Sequence, residues 1–531
     1  MSLFNNTRAG ALGLLALAAP ALTVSGCTDL SVDPFSEIQA DQFFRNPDEV
    51  NAALAPVYAQ LRTLLYNNHY HGVTEVSSDE GIIPTRGTDW GDGGAWLQLH
   101  RHEWTPQLGF LNDVWNASNT GIARANGLLA SLETADVPNK EALVAEVRTL
   151  RAFYYYTLLD MFGRAPLIGD EEGEFLPDID NPPPAETRQT LFNFVESELL
   201  AARDALPPQQ AQVGRFGADV ADALLASIYL NAEVFSGEVT AGGLNRGAAR
   251  WQDAYDRANG LITSGRYQLD DNFFDVFAVN NANNPEHILT IQHLAEAGLG
   301  NVFGNRSLHY NSTPSGAWNG FSTLAENYQR FDGDPRQAMY LEGPQVNLIT
   351  GEEIFERNNG PRLDFTPEFT QRTDRSKNSV TDASENSGAR PNKFPPDPDE
   401  SGAFSHGNDY PWFRLGEMYL IRAEAAFELG RTGEALADVN RIRTRAGANP
   451  LTSISREAIL RERLLELANE ARRRQDLIRA NESIAFGNGG SGNLFTRGWE
   501  FKQPSEPFRV VYPIPQPQLN ANPALTQNEG Y

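Results

Sequence analysis

Phe413-Arg-Leu-Gly-Glu-Met-Tyr-Leu-Ile-Arg-Ala-Glu-Ala-Ala-Phe-Glu-Leu429, then Gly430, then Glu434-Ala-Leu-Ala-Asp-Val-Asn-Arg-Ile-Arg-Thr-Arg445, decides the fold. Apolar residues recur at three and four in both halves, the signature of amphipathic helices. Gly430 supplies the stop between them. Ala423, Ala426 and Ala435 are small enough to let two helices approach closely. A short helical hairpin with small contact residues needs neighbours of its own kind to bury its remaining face.

Such neighbours lie upstream. Val144, Val147, Leu150, Arg151, Tyr154 and Leu158 mark a helix over 140–161, with Gly163 as its stop. Further helices are expected at about 47–65, where Pro47, Asp48 and Glu49 suit a first turn, and at about 112–132, 187–205, 217–235 and 248–264. One more long helix is expected from Arg456 to about Ala480, striped by Leu460, Leu464, Leu467 and Ala471. The pattern implies a mostly α protein built on tetratricopeptide-like helical repeats. Two long irregular insertions interrupt it, at about 66–110 and 267–411. Each is rich in Gly and aromatic residues, and a long insertion of that kind in a compact protein is functional or disordered. Function is expected before about residue 345, and mobility in the polar stretch from about Arg372 to Gly402. The Pro-rich end, from Val510 through Tyr512-Pro-Ile-Pro to Gln527-Asn-Glu-Gly-Tyr531, is expected to pack as an extended strap.

The N-terminus reads as an address. Arg8 precedes an apolar run, Ala11 to Ala19, and Val24-Ser-Gly-Cys27 closes it. A basic start, a short apolar core and small residues make a secretory signal, too short to span a membrane. Cys27 is the single cysteine of the chain and stands where a lipobox places the lipidated thiol. Residues 1–26 are therefore expected to be a lipoprotein signal peptide, with lipid on Cys27 anchoring the mature chain, residues 27–531, to a membrane. A lone cysteine also excludes an intrachain disulfide. The chain has 531 residues and a formal charge of −26, which argues against a nucleic-acid partner.

Several motifs, in order along the chain, resemble one family. They are Glu146-Val-Arg-Thr-Leu-Arg-Ala-Phe-Tyr-Tyr-Tyr with Met161-Phe-Gly-Arg-Ala-Pro-Leu, Arg414 to Ala425 with Val439 to Gly447, Glu462-Arg-Leu-Leu-Glu-Leu with Arg472-Arg-Arg-Gln-Asp-Leu-Ile-Arg, and the two tail motifs. Together with the lipobox they are similar to the SusD/RagB proteins over nearly the whole mature chain. The resemblance implies a surface-exposed lipoprotein that caps a SusC-like TonB-dependent transporter and captures oligosaccharides or peptides. The alternative is a helical-repeat envelope scaffold that binds only protein partners; the aromatic insertions favour capture. The charged motif residues Glu462, Arg463, Glu466, Arg473 and Asp476 are expected to fasten the last helix to the repeats.

Sugar binding needs flat aromatic faces for the apolar side of the ring and planar polar groups for the hydroxyls. Two loop-rich segments supply both: Asp79-Glu80 through Arg86-Gly-Thr-Asp-Trp90 to Trp96, and Gly316-Ala-Trp-Asn-Gly-Phe321. The candidate ligand-binding residues are Asp79, Arg86, Trp90, Trp96, Trp318 and Asn319. His69, His71, His100 and His102 could gather imidazoles for a metal, and Asp89 and Asp92 oxygens for calcium, but isolated loop residues of these types are commoner, and no metal or cofactor is expected. Nor does the sequence carry a nucleophile elbow, a His-Glu-x-x-His motif or a convincing carboxylate pair, so a binding protein rather than an enzyme is expected.

Overall fold

The computed structural model describes residues 46–169, 175–178, 180–399, 405–480 and 493–531. The signal segment, Cys27 and the tether after it lie outside the described residues. The helices fall where the periodicity places them: Pro47–Thr63, Gly109–Thr134, Lys140–Met161, Arg188–Arg203, Ala218–Leu230, Trp251–Thr263, Leu415–Glu428 and Thr432–Arg445. Their ends are built locally. Asn46 Oδ1 accepts the Glu49 N–H one residue before Pro47, and Thr187 and Ser455 cap their helices the same way. Gly163 and Gly430 stop theirs at φ 71° and 78°, a conformation that costs a Cβ-bearing residue more.

Consecutive helices pack side by side, and the order of packing explains the large insertion. Trp251–Thr263 packs directly against Leu415–Glu428, so the stack continues as though 267–411 were absent. The neck of the insertion is stitched by an antiparallel pair, His287–Ile291 with Tyr410–Arg414. Close approach relies on small residues. Ala423, Ala426 and Ala435 are fully buried. A Cβ on Gly121 would come within 2.6 Å of the Tyr154 ring, so only glycine lets the helices Gly109–Thr134 and Lys140–Met161 meet there.

Three expectations need correction. The single helix from Arg456 to Ala480 is two, Arg456–Leu467 and Arg473–Arg479. Between them Asn469 and Ala471 take φ 61° and 57°, and the backbone groups freed by the break are taken up by distant side chains. Lys393 Nζ donates to the Glu466 and Ala468 carbonyls, and the Glu75 carboxylate accepts the Ala471 N–H. The insertion at 66–110 is not a loose excursion either: it contains the helices Tyr70–Val76, buried along its whole length, and Ala95–His100. In the polar stretch after Arg372, residues 372–378 are largely exposed, but the chain from Ala383 is packed, with Ser384, Ser387, Arg390 and Lys393 all buried. Polar composition there serves loop carbonyls rather than solvent.

The charged motif residues join three parts of the chain. Arg414 bonds Glu286, Glu466 and Glu470, each at 2.7 Å, while Arg336 reaches Glu462 at 2.7 Å and Glu466 at 2.9 Å. Arg445 adds Glu286 and Glu466. Burial alone would raise the Glu466 carboxyl, but Arg445, Arg414 and Arg336 outweigh it and hold it well below the carboxylate range. The network ties the insertion, through Glu286, Arg336 and Lys393, to the repeats as well as to the last helices. The tail does form a strap: Tyr512 N donates to the Met161 carbonyl, and the fully buried Tyr512 ring lies 4.7 Å from Trp104.

Candidate functional site

A tight turn starts the site. Arg86 and Asp89 exchange backbone hydrogen bonds around Gly87-Thr88, which throws Trp90 out at φ 57°. A tryptophan in the left-handed region is strained, and such strain persists only where surroundings impose it. Here they do. Trp90 Nε1 donates to the Trp318 carbonyl at 2.6 Å, and the indole rests on Gly320, where a Cβ would come to 2.3 Å of Cε2. The loop carrying Trp318 is itself tied to the helix Phe303–Ser307: Trp318 N to Asn305 O, Asn319 N to Leu308 O and Gly320 N to Arg306 O. Two distant segments are thereby brought together with both tryptophans partly buried.

Neighbours extend this face. The Tyr310 hydroxyl donates to Asp89, Arg357 lies over the Tyr310 ring at 3.6 Å, and Arg357 Nη2 donates to Asp89 Oδ2 at 3.1 Å. Asn311, exposed, donates to the carbonyl of Phe355, whose ring is 49% exposed. Hydrogen bonds thus link the segments that carry Trp318, Trp90, Tyr310 and Phe355 through Asp89, Arg357 and Asn311. Burial raises the Tyr310 hydroxyl, and its bond to Asp89 raises it further, so it stays a neutral donor. Burial would raise Glu385, but His309 and Arg357 hold it down at about 2. Burial lowers His309, so it meets Glu385 as a neutral imidazole at neutral pH, and Arg357 is the partner that carries charge. The cavities lined by Arg188, Arg330 and Tyr267 lie elsewhere and share no residue with this face.

Of the residues singled out in the sequence, Trp90 and Trp318 lie on the open face. The other four are turned inward. Asp79 is fully buried, bonded by Arg473 at 2.7 and 3.0 Å and by Arg330 at 2.8 Å. Arg86, 2% exposed, spends its guanidinium on Asn319 O, Ser384 O, Ser387 O and Ser322 Oγ. Asn319 is fully buried between Arg390 and the Glu385 carbonyl. Trp96 is 3% exposed, bonds Asp92 and packs on Phe110 and Phe321. Buried groups whose hydrogen bonds are filled offer a ligand nothing; these four brace the loops. Tyr310, Phe355 and Arg357 were missed. Tyr310, eight residues before Trp318 in the same Gly-rich segment, carried a signal; Phe355 and Arg357 carried none. The histidines share no ligand set: His71 meets the Asn469 carbonyl, His100 those of Gly81 and Glu500, and His102 that of Ser77. Among the described residues no group of three or more His, Cys, Asp or Glu is placed to hold a metal.

The family model described as "SusD family" matches residues 285–531, and the one described as "Starch-binding associating with outer membrane" matches 50–230. SusD-like protein P25 of Formosa agariphila is 26% identical, over 94% of this chain and 96% of its own length. Starch-binding protein SusD of Bacteroides thetaiotaomicron is 28% identical, over 82% and 81% respectively. Among solved structures, surface glycan-binding protein A from Bacteroides uniformis superposes with a TM-score of 0.69, at 23% identity, covering 91% of this chain and 99% of that one; at that identity the likeness concerns the fold.

Proposed function

This chain belongs to the SusD/RagB family, and from that premise we propose that it is a cell-surface binding protein, not an enzyme, that captures oligosaccharides and delivers them to a SusC-like TonB-dependent transporter. Lipid on Cys27, after a signal peptide over 1–26, would hold residues 27–531, one SusD-like domain, at the outer membrane. The observation that carries the reading is the gathering of partly exposed Trp318, Trp90 and Tyr310 with the exposed Phe355 on segments tied together through Asp89, Arg357 and Asn311. Apolar sugar faces stack on aromatic rings, while hydroxyls take the planar polar groups between them. An open surface suits a polymer that enters from the side and must later be released. The starch-binding name of the Bacteroides thetaiotaomicron relative favours a glycan over a peptide.

Calorimetry of the full chain in detergent, against linear gluco-oligosaccharides and a peptide panel, tests this. Burying one face of a tryptophan contributes about 1.5 kcal/mol, so Trp318→Ala should weaken glycan binding about tenfold while leaving the fold intact. Glycan affinity unchanged in both Trp318→Ala and Trp90→Ala, or binding of peptides alone, would sink the assignment.

A further inference from the structure

A cavity of about 410 Å³ opens at the start of the helix Arg188–Arg203, away from the aromatic face. Arg188 stands in its wall at 7% exposure, with Nε and Nη1 fully buried and bonded to nothing. Buried guanidinium donors are almost always satisfied, and one left open needs an explanation. The carboxylate whose field it feels, Asp160, is already committed to Arg474 and the Tyr70 hydroxyl. Burial lowers the Arg188 pKa to about 10, with Asp160 holding it up, so the group is charged at neutral pH. Gly163 makes room for it: a Cβ there would meet Nη1 at 2.9 Å. Arg164, also in the wall, has a buried Nε without a partner.

The helix itself adds to this. Thr187 Oγ1 takes the Thr190 N–H, which leaves the first N–H groups of a 16-residue helix without intrahelical acceptors. Its first turn carries no acidic side chain to neutralise the positive end of its dipole. Two guanidiniums and a helix N-terminus around one space call for an anion. Glu238 and Glu529 also stand in the wall, and they narrow the choice. They would repel a doubly charged phosphate, but they accept hydrogen bonds from hydroxyls.

We propose that this cavity binds an acidic sugar unit, its carboxylate on Arg188 and the helix N-terminus and its hydroxyls toward Glu238 and Glu529. The chain would then recognise a uronate at a place separate from its aromatic face. Titration of the full chain with sodium glucuronate, glucose and sodium sulfate tests it by calorimetry, with thermal melting alongside. Glucuronate should bind one to one and raise the melting temperature, while glucose and sulfate should do neither. Arg188→Met keeps the apolar stem and removes an unpaired buried charge, so it should fold and lose glucuronate binding at least tenfold. Gln189→Glu favours the helix start yet places a negative charge at the mouth; it too should fold and should weaken glucuronate at least tenfold, with neutral-glucan affinity unchanged. Equal binding of glucose or sulfate, or glucuronate affinity retained in both variants, would overturn the proposal and leave the aromatic-face reading untouched.

Discussion

Replacing Asp79 by alanine separates a structural carboxylate from a ligand-binding one. Asp79 has no exposed surface, and Arg473, Arg330 and, at 3.6 Å, Arg497 face it. Burial alone would raise its pKa; Arg330 and Arg473 outweigh that and hold it well below the carboxylate range. Without it the three cations are left with no common counter-charge. Arg330 and Arg497 are each 24% exposed along the side chain and regain some water, but Arg473 at 7% does not. Breaking a buried pair by removing one partner costs about 3–5 kcal/mol, and this partial resolvation puts the loss near the lower end, about 3 kcal/mol. That is a large part of the roughly 5–15 kcal/mol that holds a folded domain. Urea unfolding of the wild type, Asp79→Ala, Arg473→Met and the double variant measures it. The double variant should recover part of the loss, since it no longer buries an unpaired guanidinium. A change under about 1 kcal/mol, or full stability with glycan binding abolished, would refute the reasoning.

Gly320→Ala should drive the Trp90 indole from its seat, and because the new Cβ also meets the Arg306 carbonyl oxygen at 2.9 Å the loop backbone must shift with it. The expected result is a red-shifted tryptophan emission and glycan affinity weakened several-fold, with a lowered melting temperature; emission and affinity like the wild type would count against the seat. Acid should destabilise the fold in a defined window. Burial lowers His100 and His406 to about 4 and His293 to about 3, from an unfolded value near 6.5. Folded values below unfolded ones give stability that is complete above pH 6.5 and lost as pH falls toward 4. Asp409, raised by burial to about 6, works the other way over pH 6 to 4, as do the buried Glu75 and Glu80, but burial lowers His71, His102 and His287 as well. The urea midpoint should therefore decline as pH falls below 6.5; a rise on acidification would contradict the burial argument.

The repeats were legible because their information is local. In Lys140–Met161 every third or fourth residue is apolar, and the helix forms where that says. Where partners are far apart in sequence the reading failed. Arg86, Asn319 and Asp79 look like ligand groups in a Gly-rich segment. Their partners lie across the fold: Ser387 O, which accepts from Arg86, is 301 residues away, and Arg473, which donates to Asp79, is 394 residues away. The break at Ala468–Arg472 was illegible for the same reason, since Lys393 and Glu75, which take up its backbone groups, stand outside the segment. Trp90 and Trp318 could be singled out as loop aromatics and keep part of their surface open, but nothing in the sequence between 345 and 370 announces that Phe355 and Arg357 stand on segments tied to theirs.

The distance between Asp79 and its cations also sets a timetable. Arg330 and Arg473 follow it by 251 and 394 residues, and Trp104 Nε1 finds its acceptor, the Tyr531 hydroxyl, 427 residues later. A chain emerging N-terminus first makes the buried anion long before the groups that neutralise it. Its early helices cannot close their core while the last seventy residues are still unmade, and contacts of such range are slow to form. The ion pairs around Asp79 and the contact of Trp104 with Tyr531 are thereby among those that close only after the C-terminal segment has been made.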